Sequence, residues 1–378
     1  MDELSPTPTE TDVLRMIADG DTVAQILAKT GWSNGRLHRF KIKHRARKYE
    51  ERIQMRATEE AALQRAFLDD SLNSTVEGDA LDVIESLPTQ SIQLIVTSPP
   101  YNVGRKYGGF DCDRKAHQKY RGWFIQIIAE FARVLREGGT CVLQVGTTKD
   151  DAGNVWPLDV LFFEELIRAG LTHQNRISWP TAHGLTPKRK LAERNEVALV
   201  FSKGEPIFNR NAARIPQKYP DKRAFRGPNK GRLSGCPLGA SPTDFWGDIP
   251  HVAHNRGMVD HPAQFPVAFA KRAVLLYTNP SPDHIVFDPF CGSGSTAIAC
   301  HEAHRPFIGS DLFYSALRAE RLANAKPDTV TELSGVTAAS MAVWAAEARR
   351  VDVSAKPISE EEDAAQLAMV LETNDVAA

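Results

Sequence analysis

From about Ser74 the chain alternates two patterns. Short, nearly unbroken apolar runs stand at Leu94-Ile95-Val96, Thr140 to Val145, Glu196 to Phe201, His284 to Phe287 and Pro306 to Gly309. Between them lie longer stretches whose apolar residues recur every three or four positions: Trp123 to Leu135, stopped by Gly138-Gly139, then Leu158 to Arg168, Pro266 to Leu276 and Ala297 to Ala303. Runs of the first kind fit strands buried on both faces, and stretches of the second kind fit amphipathic helices. Their alternation predicts an α/β fold with a doubly wound, mostly parallel sheet, whose ligands sit at the carboxyl ends of the strands.

The first seventy residues follow a different pattern. Asp12 to Ala18 has helical spacing and ends at Asp19-Gly20; Thr22 to Lys29 carries Val23, Ile26 and Leu27 on one face and ends at Thr30-Gly31. Ser33 or Asn34 can cap a third helix holding Leu37 and Phe40. This arrangement over residues 10–48 resembles a helix-turn-helix module, in which the last helix enters the major groove; a small structural helical hairpin is the alternative. Residues 49–73 read as a helical linker, 74–326 as the main domain, and 327–378, rich in Ala, Glu, Ser and Thr with one candidate helix at Ala338 to Arg350, as a flexible tail.

Composition adds little until it is read by position. The 378 residues carry 46 Lys and Arg against 47 Asp and Glu, a formal charge of -1 that by itself argues against a nucleic-acid partner. Yet the cations are concentrated. Arg36, Arg39, Lys41, Lys43, Arg45, Arg47 and Lys48 follow one another with no acidic residue between them, and a second run holds Arg210, Arg214, Lys218, Lys222, Arg223, Arg226, Lys230 and Arg232. Acid gathers in Glu360-Glu361-Glu362-Asp363. Two such basic stretches on either side of the α/β pattern's first strands are the footprint of phosphate contacts, with solvated faces as the bland alternative. No apolar run reaches the roughly 18 residues of a membrane span, and the N-terminus lacks signal-peptide regions, so a cytoplasmic protein without membrane contact is expected. Five cysteines, odd in number and without a C-x-x-C pair, point to neither a disulfide framework nor a zinc site.

Two segments carry chemistry. Gly292-Ser293-Gly294 lies between a strand and a helix, where missing side chains let a nucleotide-like ligand approach the backbone. It is not a P-loop, since no Lys follows, and the dinucleotide fingerprint is incomplete. Asp311, ending the next strand, is placed to accept from ribose hydroxyls; a helix N-cap is the alternative. Nearly two hundred residues earlier, Ser98-Pro99-Pro100-Tyr101 follows a buried strand. Paired prolines fix a stiff turn whose carbonyls lack an internal donor, and such acceptors beside an aromatic ring suit a planar base bearing an exocyclic amine.

Together these segments closely resemble the amino-methyltransferases of DNA, from about Ser74 to Lys326. That family's catalytic Ser-Pro-Pro-Tyr motif stands here as Ser98, Pro99, Pro100 and Tyr101, and its S-adenosylmethionine loop as Asp288, Pro289, Phe290, Cys291, Gly292, Ser293, Gly294, Ser295 and Thr296. Further matches are Glu77-Gly78-Asp79-Ala80-Leu81, Leu135-Arg136-Glu137-Gly138-Gly139, and the segment His261-Pro262-Ala263-Gln264-Phe265-Pro266. The catalytic motif precedes the cofactor motif, an order similar to the β class of these enzymes. The resemblance implies a fold of the S-adenosylmethionine-dependent methyltransferase type and S-adenosyl-L-methionine as cofactor, held by Asp288, Phe290, Gly292, Ser293, Gly294, Ser295, Thr296 and Asp311 with His261, Gln264 and Pro266. It also implies transfer of a methyl group to the exocyclic amine of a flipped base in double-stranded DNA, with residues 205–260 as the target-recognition region. Arg36, Arg39, Lys41, Lys43, Arg214, Arg223, Arg226, Lys230 and Arg232 are the candidate DNA contacts.

Serine at the first motif position favours N4 of cytosine over N6 of adenine within that family. Methylation at carbon 5 would need a Pro-Cys nucleophile, which the chain lacks, so Cys291 and Cys300 read as packing residues. His301-Glu302-Ala303-His304 is one residue short of a zinc protease motif, and the deaminase signature is missing, so no metal is expected. RNA or protein-glutamine methylation, and a regulator with an inactive methyltransferase body, are the competing readings. A separately acting cognate restriction endonuclease, and a monomer or a homodimer, are both compatible with the sequence.

Overall fold

The computed structural model describes residues 57–327 apart from 111–112, 182–187, 189–190, 220–221, 229, 236–238 and 253–258, and residues 9, 12–13, 15–16, 23–33, 36–37 and 40 nearer the N-terminus. Arg39, Lys41, Lys43, Cys112, Cys236, residues 49–56 of the expected linker and nearly all of the expected tail lie outside the described residues. The chain divides into two compact units, 1–64 and 65–378.

In the first unit Val13, Ile26, Trp32, Leu37 and Phe40 form a small apolar core, with Met16 and Leu27 packed against it. Helix α1, Val23–Thr30, carries Ile26 and Leu27 into it. The Ser33 hydroxyl accepts from the Arg36 amide, a cap for the turn that holds Leu37. Exposed Arg36 lies with its guanidinium 4.3 Å from the Trp32 ring centroid.

In the second unit, α2 (Ala57–Ser71), which starts before its boundary, and β1 (Ser74–Glu77) are followed by α3 (Ala80–Ser86), β2 (Ile92–Thr97), α4 (His117–Val134), β3 (Leu135–Val145), the short hairpin β4 (Thr147–Lys149) and β5 (Val155–Pro157), and α5 (Leu158–Arg168). Then come β6 (Thr172–Pro180), β7 (Asn195–Ser202), α6 (Val267–Tyr277), β8 (Val286–Asp288), α7 (Ser295–Glu302), β9 (Phe307–Asp311) and α8 (Ser315–Asn324). Seven strands pair in the order β1-β9-β8-β2-β3-β7-β6, and among the described residues β7 alone runs opposite to the other six. The mostly parallel α/β sheet expected from the sequence is therefore present.

Both faces of the sheet are covered. Ile95, Leu143, Phe201 and Phe287 face a core built with Tyr120, Phe124 and Phe131 of α4 and Phe162 of α5. Leu94, Val96, Val142, Val200 and Val286 face a second core with Phe269, Ala273 and Val274 of α6. Double burial leaves no polar side to a central strand, which is why these runs read as continuous apolar segments. Among the described residues no helix is long and apolar enough to cross a membrane.

Helix α4 ends earlier than its sequence pattern predicts. The glycines at 138 and 139 do not end α4; the helix stops at Val134, Leu135 is extended, and β3 runs on through both. Gly138 and Gly139 exchange backbone hydrogen bonds with Lys203 at 2.7 and 2.9 Å, so they are stitched into the sheet, with Gly138 at a φ of +77°. Two further features lie outside the sequence pattern. The polar run Thr172 to Arg176 hides β6, an edge strand in which only Ile177 and Trp179 are buried. The β4–β5 hairpin is the other.

Where the chain turns back on itself fixes the site. From β8 it proceeds through α7 to β9, toward one edge, whereas from β2 it proceeds through α4 to β3, toward the other. β8 and β2 are neighbours, so their carboxyl ends open a crevice at the switch point of the sheet.

Candidate active site

The two chemical segments meet in that crevice. Thr97, the last residue of β2, donates its hydroxyl to Asp288 Oδ1 at 2.7 Å across 191 positions of sequence. Asp288 ends β8 and is 1% exposed. Its Oδ1 also accepts from the Phe290 amide at 3.1 Å and its Oδ2 from the Thr296 hydroxyl at 2.6 Å. Burial pushes its carboxyl up to about 6, against the pull of those three donors. Asp288 thus acts on the site through the glycine loop it braces.

The loop turns sharply. Gly292 and Gly294 have φ values of +46° and +83°, where a Cβ is strained, and a Cβ on Gly292 would stand 2.6 Å from His261 Nε2. Ser293, Ser295 and Thr296 are buried. Ser295 donates to the Phe265 carbonyl at 2.8 Å, which ties α7 to the His261–Pro266 segment. Pro266 precedes the first turn of α6, and Gln264 Oε1 accepts from the Val259 amide. Burial, reinforced by Arg321, Arg105 and Arg318, holds the His261 imidazole down at about 4, so at neutral pH the ring is uncharged.

Asp311 ends β9 beside the same loop. Its Oδ2 accepts from the Gly292 amide at 2.8 Å and its Oδ1 from the Phe313 amide at 2.9 Å. The N-cap of the helix after it, α8, is Tyr314, which makes no side-chain cap hydrogen bond, so Asp311 is not the N-cap. Burial raises this carboxyl as well. A carboxylate offers about four lone-pair positions, so Asp311 keeps acceptors for a ligand.

Ser98, Pro99, Pro100 and Tyr101 continue from β2. The Pro100 carbonyl is taken by the Tyr120 hydroxyl at 2.7 Å, whereas among the described residues no donor is bonded to the Pro99 carbonyl. The turn is held by buried Asp113, whose carboxylate accepts from the amides of Asn102, Val103 and Arg105. The Tyr101 ring lies against Gly146, where a Cβ would come within 2.9 Å of Cε2. Its hydroxyl is 3.2 Å from Ser98 Oγ, donates to Gln144 Oε1 at 3.0 Å and stands 3.5 Å from Glu196 Oε2. Burial and the nearby Glu196 carboxylate keep this phenol well above its ordinary range.

A family model for N6 and N4 enzymes, described as DNA methylase, matches residues 92–319. The chain belongs to this family of DNA methylases. The type II methyltransferase M.BglII of Bacillus subtilis is 39% identical over 249 residues, 65% of this chain and 67% of that protein. M.ScaI of Streptomyces caespitosus is 30% identical over 261 residues, 66% of this chain and 81% of that one. Among solved structures, a DNA modification methylase of Thermus thermophilus in complex with S-adenosyl-L-methionine is 26% identical, aligns with 68% of this chain and 95% of its own, and gives a TM-score of 0.47.

Several residues of this methylase site carry no sequence signal of their own. Gln144 is the next-to-last residue of β3 and Glu196 the second of β7; the antiparallel pairing of these strands brings them together beside Tyr101 at the carboxyl end of β3. Arg318 of α8 donates to the carbonyls of Gly292 and Phe313, while its Nε and Nη2 are buried without a partner. Cys141, Cys291 and Cys300 are buried with their thiols pushed up by desolvation, as expected of packing residues. The basic insertion is anchored at this end of the sheet: Ser178 of β6 exchanges backbone hydrogen bonds with Asp244 and Trp246, and Trp179 donates to the Ile249 carbonyl. Within it Arg214 spends donors on Asn211 and the Gly239 carbonyl. Arg223, Arg226 and Lys230 are exposed on a loop closed by backbone bridges, Arg232 is half-buried there, and Phe225 at its tip is 81% exposed.

Proposed function

We propose that this DNA methylase is a site-specific enzyme that methylates N4 of a cytosine extruded from duplex DNA. The observation that carries the reading is the Thr97–Asp288 hydrogen bond, which fixes the Ser98–Tyr101 turn and the glycine loop as the two walls of one crevice. The residues fit S-adenosyl-L-methionine. Gly292 and Gly294 leave the loop without side chains, Asp311 keeps acceptors for hydroxyls, and Arg318 has two unmet buried donors of the kind an acceptor on a ligand satisfies. When bound, this cofactor supplies a methyl group on a positively charged sulfur.

The chain's own part is to present the amine. An amine conjugated with a base ring is a poor nucleophile while its lone pair is delocalised. Acceptance of its hydrogens by Ser98 Oγ and the Pro99 carbonyl favours a pyramidal nitrogen with the lone pair aimed across the crevice. Holding both reactants in line contributes much of the rate, because an entropic cost has been met by binding. The nitrogen gains the methyl group and loses one proton, which passes to solvent water. Tyr101 would stack on the extruded base, its ring having room beside Gly146, and that stacking offsets part of the few kcal/mol that extrusion costs. Arg223, Arg226 and Lys230, exposed beside Phe225, suit the phosphates of the duplex, and so does Arg36. Cytosine follows from serine at the first motif position. A cytoplasmic setting and a separately acting cognate endonuclease accompany the reading.

Incubation with labelled cofactor and duplex DNA, followed by digestion to nucleosides, tests it. N4-methyldeoxycytidine is expected. N6-methyldeoxyadenosine would overturn the base, and the absence of any methylated nucleoside would overturn the activity.

Asp311→Ala is expected to raise the cofactor Kd by roughly ten-fold or more, since hydrogen bonds to a charged acceptor are worth about 1.5–3 kcal/mol. DNA affinity should change little. Titration calorimetry with each ligand separately checks this, and an unchanged cofactor Kd would remove Asp311 from the site.

A further inference from the structure

We propose that Glu196 is a positioning residue that sets the direction of a hydrogen-bond chain ending at Ser98, so that the Ser98 oxygen meets the target amine as an acceptor. The inference rests on the role given to Ser98 above and adds what enforces it.

A serine hydroxyl can donate or accept, and only acceptance suits an amine that brings its own hydrogens. The chain of partners removes the ambiguity. Burial raises the Glu196 carboxyl, while its hydrogen bonds with Gln144 and Tyr101 and the nearby His251 and Arg105 favour the charged form; as a carboxylate it only accepts, and its Oε2 takes a hydrogen bond from Gln144 Nε2. That contact orients the amide, because the reversed amide would set an oxygen against the carboxylate. Gln144 Oε1 therefore faces Tyr101 and accepts from its hydroxyl at 3.0 Å. Glu196 Oε2, 3.5 Å from the same hydroxyl, draws the proton in the same sense. With its one proton committed, the Tyr101 oxygen can only accept from Ser98 Oγ, 3.2 Å away. The proton of Ser98 is committed in turn, and lone pairs are what it presents to the crevice. Each donor in such a chain is polarised by the next, with the strongest acceptor at its end. Gln144, at the centre of the network, is buried, and Gly146 leaves the Tyr101 ring the space to reach it.

Substitution Glu196→Gln removes the acceptor-only end, frees the Gln144 amide to turn and lets the chain reverse. In single-turnover methylation of duplex DNA by the full-length protein, the rate constant is expected to fall ten-fold or more, roughly the worth of one hydrogen bond to a charged group. The cofactor Kd should stay within about two-fold, because Glu196 does not touch the glycine loop. The deciding measurement is a double-mutant cycle with Tyr101→Phe, which cuts the chain between Glu196 and Ser98. In that background Glu196→Gln should have no further effect. The exchanged pair, Gln144→Glu with Glu196→Gln, sets a carboxylate directly beside the Tyr101 hydroxyl and should recover most of the rate. Effects of Glu196→Gln and Tyr101→Phe that multiply, or an exchanged pair no better than the single variant, would overturn the proposal. If Glu196→Gln does not fold, the same cycle with Gln144→Met decides it by the same criterion. A wild-type protein that methylates no DNA would instead refute the proposed function.

Discussion

Tyr101→Ala is expected to lower kcat/KM for duplex DNA by about two orders of magnitude while the S-adenosylmethionine Kd stays within roughly two-fold. The substitution removes both a stacking surface and a hydroxyl. Stacking of a base on an aromatic ring is worth about 1–3 kcal/mol by alanine substitution, which alone amounts to roughly 5- to 150-fold. The substitution also deletes the hydroxyl between Ser98 and Gln144, so Ser98 loses the partner that fixes its proton. The cofactor should be indifferent, because the loop from Asp288 to Thr296 takes none of its hydrogen bonds from Tyr101. Steady-state methylation with labelled cofactor, alongside titration calorimetry, separates the two quantities. Parallel loss of both would show that Tyr101 supports the shape of the site and not the base. Tyr101→Phe keeps the ring and loses the hydroxyl, and should fall between the two.

Asp288→Ala should do the most damage to the fold. It strands the hydroxyls of Thr97 and Thr296 and the Phe290 amide in a buried place, and each unmet buried group costs about 1–3 kcal/mol. A destabilisation of about 3–5 kcal/mol is expected, with cofactor binding lost because the glycine loop is released from β2. Asp288→Asn is the informative companion, since it keeps the shape without the charge. The folded protein raises the Asp288 carboxyl from 3.8 to about 6, so the native state binds this proton more tightly than the unfolded chain does. Stability from this group is therefore greatest below about pH 4, declines between about pH 4 and 6, and is level above. Relative to the Asn variant, wild type should lose up to roughly 3 kcal/mol across that window. Denaturant unfolding of both proteins at pH 4.5 and 7.5 measures the difference. A gap that does not change with pH would mean that the carboxyl titrates normally.

The parts of this protein legible in its sequence are those whose chemistry is local. A buried strand announces itself by apolar content, as at Leu94 to Val96, and a tight loop by glycines, as at Gly292 and Gly294, because the backbone conformation there is decided within a few residues. β6 is not legible for the converse reason: its residues are mostly exposed, and what makes Thr172 to Pro180 a strand is its pairing with β7. Glu196 shows the same limit at the site. In the sequence it is one acidic residue at the start of an apolar run. Only the register of β7 against β3 and β6 carries it to the edge of the sheet, and only the turn after β2 brings Tyr101 to meet it.

The βα alternation, the two motifs and their order, and the basic stretches concealed by a net charge of -1 are all written in the linear chain. These follow from residue type and near-neighbour spacing. The tertiary structure decided that Thr97 and Asp288 are hydrogen-bonded, that Asp311 serves the glycine loop and not a helix cap, and that Gln144 and Glu196 stand behind Tyr101. Such contacts join residues far apart in the chain, and they form only because packing on both faces of the sheet fixes the strand order. Nothing in the spacing of residues along a chain encodes which strand will lie beside which.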